Sequence, residues 1–381
     1  MRGSVTGRLI PNEDLLLPDG YVHLQTGGVG AMPRPVFDAT VAAMAAVESD
    51  PAGETYGPGI GRLEKVRAKV AGLLRCGADE VVLTNSATAG MFLVAQGLRL
   101  EAGDRILVTD HEHPAGRLGW EWAARRYGAA IDTLKLSPEA KEPGAILDQF
   151  AAAIGPRTRV LSFSHILFTT GVRLPASELC ALAREKGCLA IVDGAQSVGA
   201  MPVDVLEMGC HAYSASGHKW LMGPKGTGLL YLSDELDDQL DALPLQAGRK
   251  ANSDSTGIGN IAGMHGLGAA IDYVQALGLH ATQAHNLALR SELFDALAHL
   301  PGVVIPSPRD GTTISANLSF TLPGSAAEHH AIRRNLLLRH RIYLRVVELS
   351  GFIGLRASLH CYNRSEDVAA LAEALKRELD A

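Results

Sequence analysis

The 381-residue chain is 47% apolar and 20% charged, as expected for a globular protein of about two domains. It has 35 Lys and Arg against 41 Asp and Glu, a formal net charge of −6. This balance lacks the basic footprint of a nucleic-acid-binding protein and the polybasic patch of a membrane-surface protein. No stretch reaches the roughly 18 apolar residues that would span a bilayer.

Five cysteines are scattered along the chain without a C-x-x-C pair, which argues against a disulfide framework or a zinc ribbon. Residues 1–11 contain no apolar run like that of a secretory signal peptide. We therefore expect free thiols and a cytoplasmic protein.

The middle of the chain alternates short apolar runs with helix-length amphipathic runs. This alternation predicts an α/β domain in which a mostly parallel central sheet is sandwiched by helices. The apolar runs resemble strands that are buried on both faces. The predicted strands cover residues 81–84, 105–109, 160–164, 189–192 and 228–232, and the predicted helices cover residues 63–74, 89–98, 119–127 and 176–185.

A different pattern begins near residue 275. It predicts a long amphipathic helix over 282–300, a strand over 315–321 and a C-terminal helix over 366–379. We predict an N-terminal segment over residues 1–20, a large domain over 21–275 and a smaller C-terminal α+β domain over 276–381.

Residues 57–61, with the sequence G-P-G-I-G, resemble a dinucleotide-binding turn. They do not follow a predicted strand, and Pro58 interrupts the pattern, so we predict a loop. Tyr56, beside this loop, is a candidate substrate-binding residue.

Ligands of an open α/β sheet bind at the carboxyl ends of its strands, so the residues that follow each strand are candidates for the site. Ser86, Ala87 and Thr88 follow the strand over 81–84 and open a helix. Their backbone N–H groups and hydroxyls can hold a phosphate. Ser216 and His218 add donors for the same anion.

Other strand ends carry groups that suit a flat, charged ring. Asp193 can pair with a protonated ring nitrogen, and Lys219 can form a Schiff base. His113 can stack on the ring. Together with the phosphate-binding residues, these groups are the parts of a pyridoxal phosphate (PLP) site.

The motifs around these residues resemble those of the class-V aminotransferases, the superfamily of the cysteine desulfurases. Residues 216–219 (S-G-H-K) with 223–228 (G-P-K-G-T-G) resemble its lysine motif, and residues 192–197 (V-D-G-A-Q-S) resemble its aspartate motif. His113, after Glu112, resembles its ring-stacking histidine. Residues 355–358 (L-R-A-S) resemble its carboxylate-binding arginine segment, and the matches keep chain order over residues 20–375.

The resemblance implies PLP fold type I and a homodimer with active sites at the subunit interface. It implies that Lys219 holds the cofactor and acts as general base at Cα, while Asp193 keeps the pyridine nitrogen protonated. It also implies that Gln196 hydrogen-bonds the phenolic oxygen of the cofactor. Arg356 is implied to bind the carboxylate of an amino-acid substrate.

Three departures from the desulfurase pattern bear on the reaction. Desulfurases carry a nucleophilic cysteine upstream of the arginine segment, but residues 345–355 contain none, and Cys361 lies too late in the chain. Phe168 stands where desulfurases place an asparagine near the cofactor, which predicts a more apolar wall beside the substrate. The phosphate-binding threonine of the partner subunit aligns with Ile258, so we expect Thr256 or backbone amides to replace it.

The cysteine-free segment resembles the isopenicillin N epimerase-like branch, which includes C–S lyases. We expect a lyase that cleaves the C–S bond of a cysteine-type conjugate through a Cα carbanion. An amino-acid epimerase or aminotransferase of biosynthetic metabolism and a non-enzymatic scaffold that retains PLP are open alternatives. His111 and His113 also leave a zinc hydrolase open, but no third ligand motif accompanies them, and we predict no metal site.

Overall fold

The structure, a computed structural model, describes residues 7–137, 141–250, 255–349 and 351–380. Its strands are β1 Val22–His23, β2 Val81–Thr84, β3 Arg105–Thr109, β4 Ala130–Leu134, β5 Thr158–Ser164, β6 Leu189–Asp193, β7 Ala212–Ser216, β8 Gly228–Leu232, β9 Asn317–Phe320, β10 Ile342–Tyr343, β11 Arg345–Leu349 and β12 Phe352–Ser358. Its helices are α1 Arg34–Ser49, α2 Pro51–Tyr56, α3 Pro58–Leu74, α4 Ala87–Gly97, α5 Pro114–Tyr127, α6 Pro143–Ala153, α7 Ala176–Glu185, α8 Val205–Met208, α9 Ile261–Leu277, α10 Leu279–Ala298, α11 Ala326–His340 and α12 Ser365–Leu379.

Seven strands form the large sheet, in the order β2-β8-β7-β6-β5-β3-β4. Every pair in the run from β7 to β4 is parallel, and β8 is antiparallel to both of its neighbours. The central strands are buried along nearly their whole length because helices cover both faces. The predicted architecture, a mostly parallel sheet between helical layers, is confirmed.

The five predicted strands of the large sheet are all present, and β4 and β7 complete it. The predicted helices are present as well, with ends that shift by a few residues. The prediction of a loop over residues 57–61 is wrong, because α3 begins at Pro58 and only Gly57 separates it from α2. Proline suits this first helical position, where its missing N–H would have had no partner in the helix.

A smaller unit packs against the carboxyl edge of the large sheet. It contains the antiparallel sheet β11-β12-β9, covered by α10, α11 and α12. The short strand β1 pairs in parallel with β10, so Val22 and Leu24 share an apolar core with the C-terminal part of the chain. No helix in the described ranges is long and apolar enough to cross a bilayer.

Candidate active site

A cavity of about 240 Å³ lies where the loops after β2, β3, β5, β6 and β7 meet the hairpin formed by β11 and β12. All these loops leave the carboxyl edge of one sheet, which is where open α/β sheets bind ligands. The predicted site residues that line the cavity are Ser86, Ala87, Thr88, His113, Phe168, Asp193, Gln196, Ser216, His218, Lys219 and Arg356.

Two predicted site residues do not line this cavity. Tyr56 ends α2 with 70% of its surface exposed, and Thr256 also lies on the surface of the chain. Their predicted roles therefore require contact with a second subunit, and they remain predictions.

One end of the cavity presents hydroxyl and N–H groups at the start of α4. The Ser86 hydroxyl accepts a hydrogen bond from the N–H of Ala89 at 3.2 Å and so caps the helix. The Ser216 hydroxyl accepts from the N–H of Ala87 at 2.9 Å. His218 also lines the cavity, and its Nδ1 is buried without a hydrogen-bond partner among the described residues. A phosphate fits this end, since it would engage the helix start and give that buried nitrogen a partner.

Asp193 ends β6 and supplies the negative charge of the cavity. Its Oδ1 accepts from the N–H of Ala195 at 2.8 Å, which fixes the orientation of the carboxylate. A Cβ at Gly116 would lie 3.3 Å from Oδ2, so the missing side chain keeps that oxygen accessible. Burial raises the pKa of Asp193, and the Lys219 charge opposes that rise. A cationic ring nitrogen fits beside this carboxylate.

Lys219 follows β7 and faces the same cavity. Burial lowers the pKa of Lys219 to about 8, the Asp193 charge partly offsets this, and the charges of Arg356 and Arg345 lower it further. An amine with this pKa is neutral often enough near pH 8 to act as a nucleophile or a base.

His113 precedes α5 and caps it, since Nδ1 accepts from the N–H of Ala115 at 3.2 Å. Its ring meets Phe168 edge to face at 5.0 Å between centroids. Burial, and then the nearby charges of Lys219 and the two arginines, lower the pKa of His113 to about 4. The imidazole is therefore neutral at pH 7.

Gln196 ties the cavity to the smaller unit. Its Oε1 accepts from Trp220 Nε1 at 3.1 Å and from Asn317 Nδ2 at 3.2 Å. Its Nε2 donates to the carbonyl of Gly27 at 2.8 Å. The predicted bond from Gln196 to the cofactor's phenolic oxygen remains a prediction, since these contacts already occupy much of the amide.

Arg356 lies on β12 at the opposite end of the cavity and is 1% exposed. Its Nη1 donates to the carbonyl of Phe168 at 2.8 Å, and its Nη2 to Gln25 Oε1 at 3.4 Å. Burial lowers the pKa of Arg356 to about 9, and the charge of Arg345 adds to the effect. A guanidinium held by neutral acceptors only, in a water-poor site, is suited to bind a carboxylate.

The sequence reasoning missed Arg345, which begins β11 and also lines the cavity. In the antiparallel register Arg345 lies directly opposite Arg356. The signal that could have found it is the S-G pair at 350–351, which the sequence places midway between the two arginines.

His111 and His113, the two candidate zinc ligands of the sequence, have other hydrogen-bond partners. His111 Nδ1 is 2.6 Å from the hydroxyl of Thr169, and His113 accepts a backbone N–H. Among the described residues, no group of three or more His, Cys, Asp or Glu side chains could hold a metal ion.

The cysteines lie away from the chemistry. Cys361 is fully buried, and its thiol contacts Met222 Sδ at 3.6 Å. Burial raises the pKa of Cys361 and that of Cys180, the latter to about 12. Neither thiol lines the cavity, so neither is an activated nucleophile within it.

A larger surface cavity of about 480 Å³ lies beside α7 and α8, and none of the predicted cofactor or substrate residues lines it. Size alone therefore does not identify the site. The smaller cavity combines a helix start, a buried lysine, a carboxylate and two guanidiniums.

The fold and this cavity define a PLP-dependent enzyme of fold type I. The sequence pattern of the family "Aminotransferase class-V" matches residues 32–371, and the chain belongs to that family. The chain is 32% identical over 385 residues to isopenicillin N epimerase of Streptomyces clavuligerus, covering 95% of this chain and 96% of the relative. It is 31% identical over 341 residues to a probable cysteine desulfurase of Methanothermobacter thermautotrophicus, covering 83% of both chains.

Solved structures agree with these relatives. The apo cysteine desulfurase of Thermococcus onnurineus NA1 superimposes with a TM-score of 0.85 at 25% identity and covers 96% of both chains. The cystine C–S lyase C-DES in complex with cysteine persulfide also gives a TM-score of 0.85 at 25% identity, over 95% of this chain and 98% of that one. A lysine-to-alanine variant of C-DES holds glycine covalently linked to its PLP cofactor. PLP is the cofactor of this family, and the cavity described above has the groups to hold it.

Proposed function

We propose that the protein is a PLP-dependent lyase that cleaves the C–S bond of a cysteine-type conjugate. The observation that carries the proposal is the composition of the cavity: a base, Lys219, and a carboxylate-binding guanidinium, Arg356, face it, and no cysteine among the described residues does. A desulfurase needs such a cysteine to accept sulfur, whereas a lyase releases the sulfur with its substituent. The similarity to a cystine C–S lyase supports the same conclusion.

In this proposal the cofactor's phosphate is held by Ser86, Thr88, Ser216 and His218, and its ring nitrogen by Asp193. Lys219 Nζ provides the covalent attachment point, and His113 stacks on the ring. When bound, PLP supplies an electron sink for the negative charge that proton removal leaves at Cα of an attached amino acid.

The chain's own residues then account for selection and proton movement. Arg356 binds the α-carboxylate and so fixes the orientation of Cα. Lys219 Nζ takes the Cα proton, and the Cβ–S bond breaks with its electron pair on sulfur. The sulfur leaves as a thiol after taking a proton, and water converts the remaining three-carbon fragment to pyruvate and ammonia. The buried position of Arg356 and Phe168 keeps bulk water from this end.

A second candidate is an amino-acid epimerase, and coverage favours it. The match to isopenicillin N epimerase spans 96% of that relative, whereas the desulfurase matches span 82–83% of theirs. An epimerase shares proton removal at Cα but returns a proton to the opposite face and releases no thiol.

One experiment separates these outcomes. The holoenzyme is incubated in D₂O with S-substituted L-cysteines, and pyruvate, ammonia and the configuration and deuterium content of the remaining amino acid are measured. The lyase gives pyruvate and ammonia in equal amounts. Deuterated D-amino acid without pyruvate identifies an epimerase, and a stable pyridoxamine form that needs a keto acid identifies an aminotransferase. A bound cofactor whose spectrum no amino acid changes contradicts all three and indicates a scaffold.

We also propose that the protein is a homodimer. Helix α1 buries Val36, yet Phe37, Val41 and Met44 lie along one exposed stripe of it, with 44%, 47% and 56% of their surface accessible. A second copy of the chain would cover this stripe. Sedimentation should give twice the chain mass for the native protein and a shift toward monomer for Met44→Glu.

A further inference from the structure

Two arginines face the substrate end of the cavity from neighbouring strands. Arg345 begins β11, Arg356 lies on β12, and the register places them directly opposite each other. Opposite residues of an antiparallel pair project from the same face of the sheet with Cβ atoms about 4.5–5.5 Å apart. Both side chains line the cavity, so two guanidiniums approach one small volume.

This arrangement leaves positive charge without a counterpart. Like charges directly opposite in a sheet destabilise it, and a partly buried charge is costly unless it is paired. The guanidinium of Arg356 donates hydrogen bonds only to a carbonyl and a neutral amide among the described residues. Within the part of the chain that the structure describes, the side chain of Arg345 forms no hydrogen bond or ion pair.

The cavity holds one carboxylate among its described residues, Asp193, against the cations Lys219, Arg345 and Arg356. Asp193 and Lys219 are committed to the cofactor in the proposed function. The two guanidiniums then remain for the substrate, and a single α-carboxylate balances only one of them.

We infer that Arg345 binds a second anionic group of the substrate, so that the enzyme selects amino acids with an acidic side chain. The inference rests on the proposed function for the identity of the site, and it names the substrate class: a cysteine conjugate whose sulfur substituent ends in a carboxylate. Arg356 takes the α-carboxylate and Arg345 the distal one.

The geometry also limits the size of this substrate. The two arginines start from opposite positions of paired strands, so both side chains reach the same short section of one cavity. The cavity of about 240 Å³ has to contain the cofactor ring and the substrate together. A short acidic conjugate such as S-carboxymethyl-L-cysteine meets both conditions.

Matched pairs of acids and amides test the inference with the holoenzyme. Calorimetric titration compares the binding of L-glutamate with that of L-glutamine, since neither has a C–S bond to cleave. A rate assay compares kcat/KM for S-carboxymethyl-L-cysteine with that for S-carbamoylmethyl-L-cysteine. In each pair the acid should be favoured roughly 10- to 100-fold, the value of one charge-assisted hydrogen-bond pair. Equal affinities within the glutamate–glutamine pair would overturn the inference.

Variants show which residue binds the second carboxylate of the substrate. Arg345→Gln should bring the acid-to-amide ratio of binding constants close to one, and Arg345→Lys should restore part of it. Arg334→Gln, which removes an exposed charge from the same unit, is the matched control and should keep the wild-type ratio. If Arg345→Gln weakens acid and amide equally, both arginines hold the same α-carboxylate, and the inference is wrong.

The same measurements separate this inference from the proposed function. A preference for glutamate without pyruvate release from any S-conjugate would keep the acidic specificity and reject the lyase. Pyruvate release with equal kcat/KM for acid and amide would keep the lyase and reject the role of Arg345.

Discussion

The two ends of the cavity are built in different ways. We call the residues Ser86, Asp193, Ser216 and Lys219 the cofactor wall, and Phe168, Arg345 and Arg356 the substrate wall. The cofactor wall follows β2, β6 and β7 of one sheet, and the side-chain oxygens of Ser86, Asp193 and Ser216 accept hydrogen bonds from nearby backbone N–H groups. The substrate wall depends on the β11–β12 hairpin of the smaller unit. The guanidinium of Arg356 donates hydrogen bonds to neutral groups, and the side chain of Arg345 forms none among the described residues.

This contrast indicates which wall controls the reaction rate and which controls the choice of substrate. The hydrogen bonds of the cofactor wall orient its donors and its carboxylate before any substrate arrives, which is the preorganisation that catalysis needs. The substrate wall keeps positive charge that no carboxylate on the wall itself offsets among the described lining residues. We therefore expect the cofactor wall to control rate and the substrate wall to control affinity.

The largest expected effect is on Lys219, at the centre of the cofactor wall. Lys219→Ala removes the proposed base, and the rate should fall roughly 10²- to 10⁴-fold, the usual contribution of a positioned proton acceptor. Borohydride reduction followed by peptide mapping should place a pyridoxyl group on Lys219 in the native protein and on no peptide of the variant. Lys225→Met, on the same loop but outside the cavity, is the control and should retain the label. A label that persists in Lys219→Ala would show that another lysine holds the cofactor.

Asp193→Asn tests whether charge or shape matters at the cofactor wall. An asparagine can still accept the N–H of Ala195, so the loop keeps its hydrogen bond while the negative charge is lost. Loss of one partner of a buried charge pair costs about 2 kcal/mol or more, so kcat should fall roughly 30-fold or further. The exposed Asp238→Asn is the control. Unchanged kcat would mean that Asp193 only caps the loop.

Arg356→Gln tests the substrate wall. The variant loses a charge-assisted pair worth about 1.5–3 kcal/mol, so KM for the amino acid should rise roughly 10- to 100-fold. The change in kcat should be smaller, because the cofactor wall is unaltered. Arg334→Gln controls for the loss of one positive charge. A fall in kcat with constant KM would contradict the expectation that the substrate wall controls affinity and not rate.

The cofactor wall could be predicted from the sequence because its signals are local. Apolar runs mark five of the seven strands of the large sheet, and polar residues that end or follow β2, β3 and β6 line the cavity. The strand β7 escaped detection because Ala212–Ser216 has small and polar residues that are nevertheless buried. Ser214 explains this pattern, since its hydroxyl donates to the carbonyl of Ala87 and anchors α4 to the sheet.

The substrate wall was harder to predict because it depends on the pairing register of β11 and β12. Arg356 was found by resemblance, but Arg345 required the pairing of β11 with β12. The S-G pair at 350–351 lies midway between the two arginines, and a turn centred there would have placed them opposite each other. Gly351 has the positive φ of 77° that such a turn uses. Tyr56 lies outside the cavity for a different reason, since α2 and α3 replace the loop that would have carried it inward.

The smallest expected effect concerns two buried histidines, one behind each wall. His165 Nδ1 lies 2.8 Å from the hydroxyl of Tyr213, behind the cofactor wall. His360 Nε2 lies 2.9 Å from the carbonyl of Trp220, on the side of the smaller unit. Burial lowers the pKa of both to about 3, far below the ordinary value of about 6.5.

Both histidines should therefore destabilise the fold as the pH falls. Above pH 6.5 they are neutral in the folded and unfolded states, and their full contribution is present. Between about pH 6.5 and pH 3 only the unfolded chain takes up their protons, so each lowers the free energy of unfolding by about 1.4 kcal/mol per pH unit. Urea unfolding between pH 6 and pH 4.5 should show a slope that is smaller by this amount for His360→Gln than for the native protein. If His165→Gln and His360→Gln reduce the slope equally, the histidines behind the two walls resist protonation to the same extent. The two walls then differ only in how they bind their ligands.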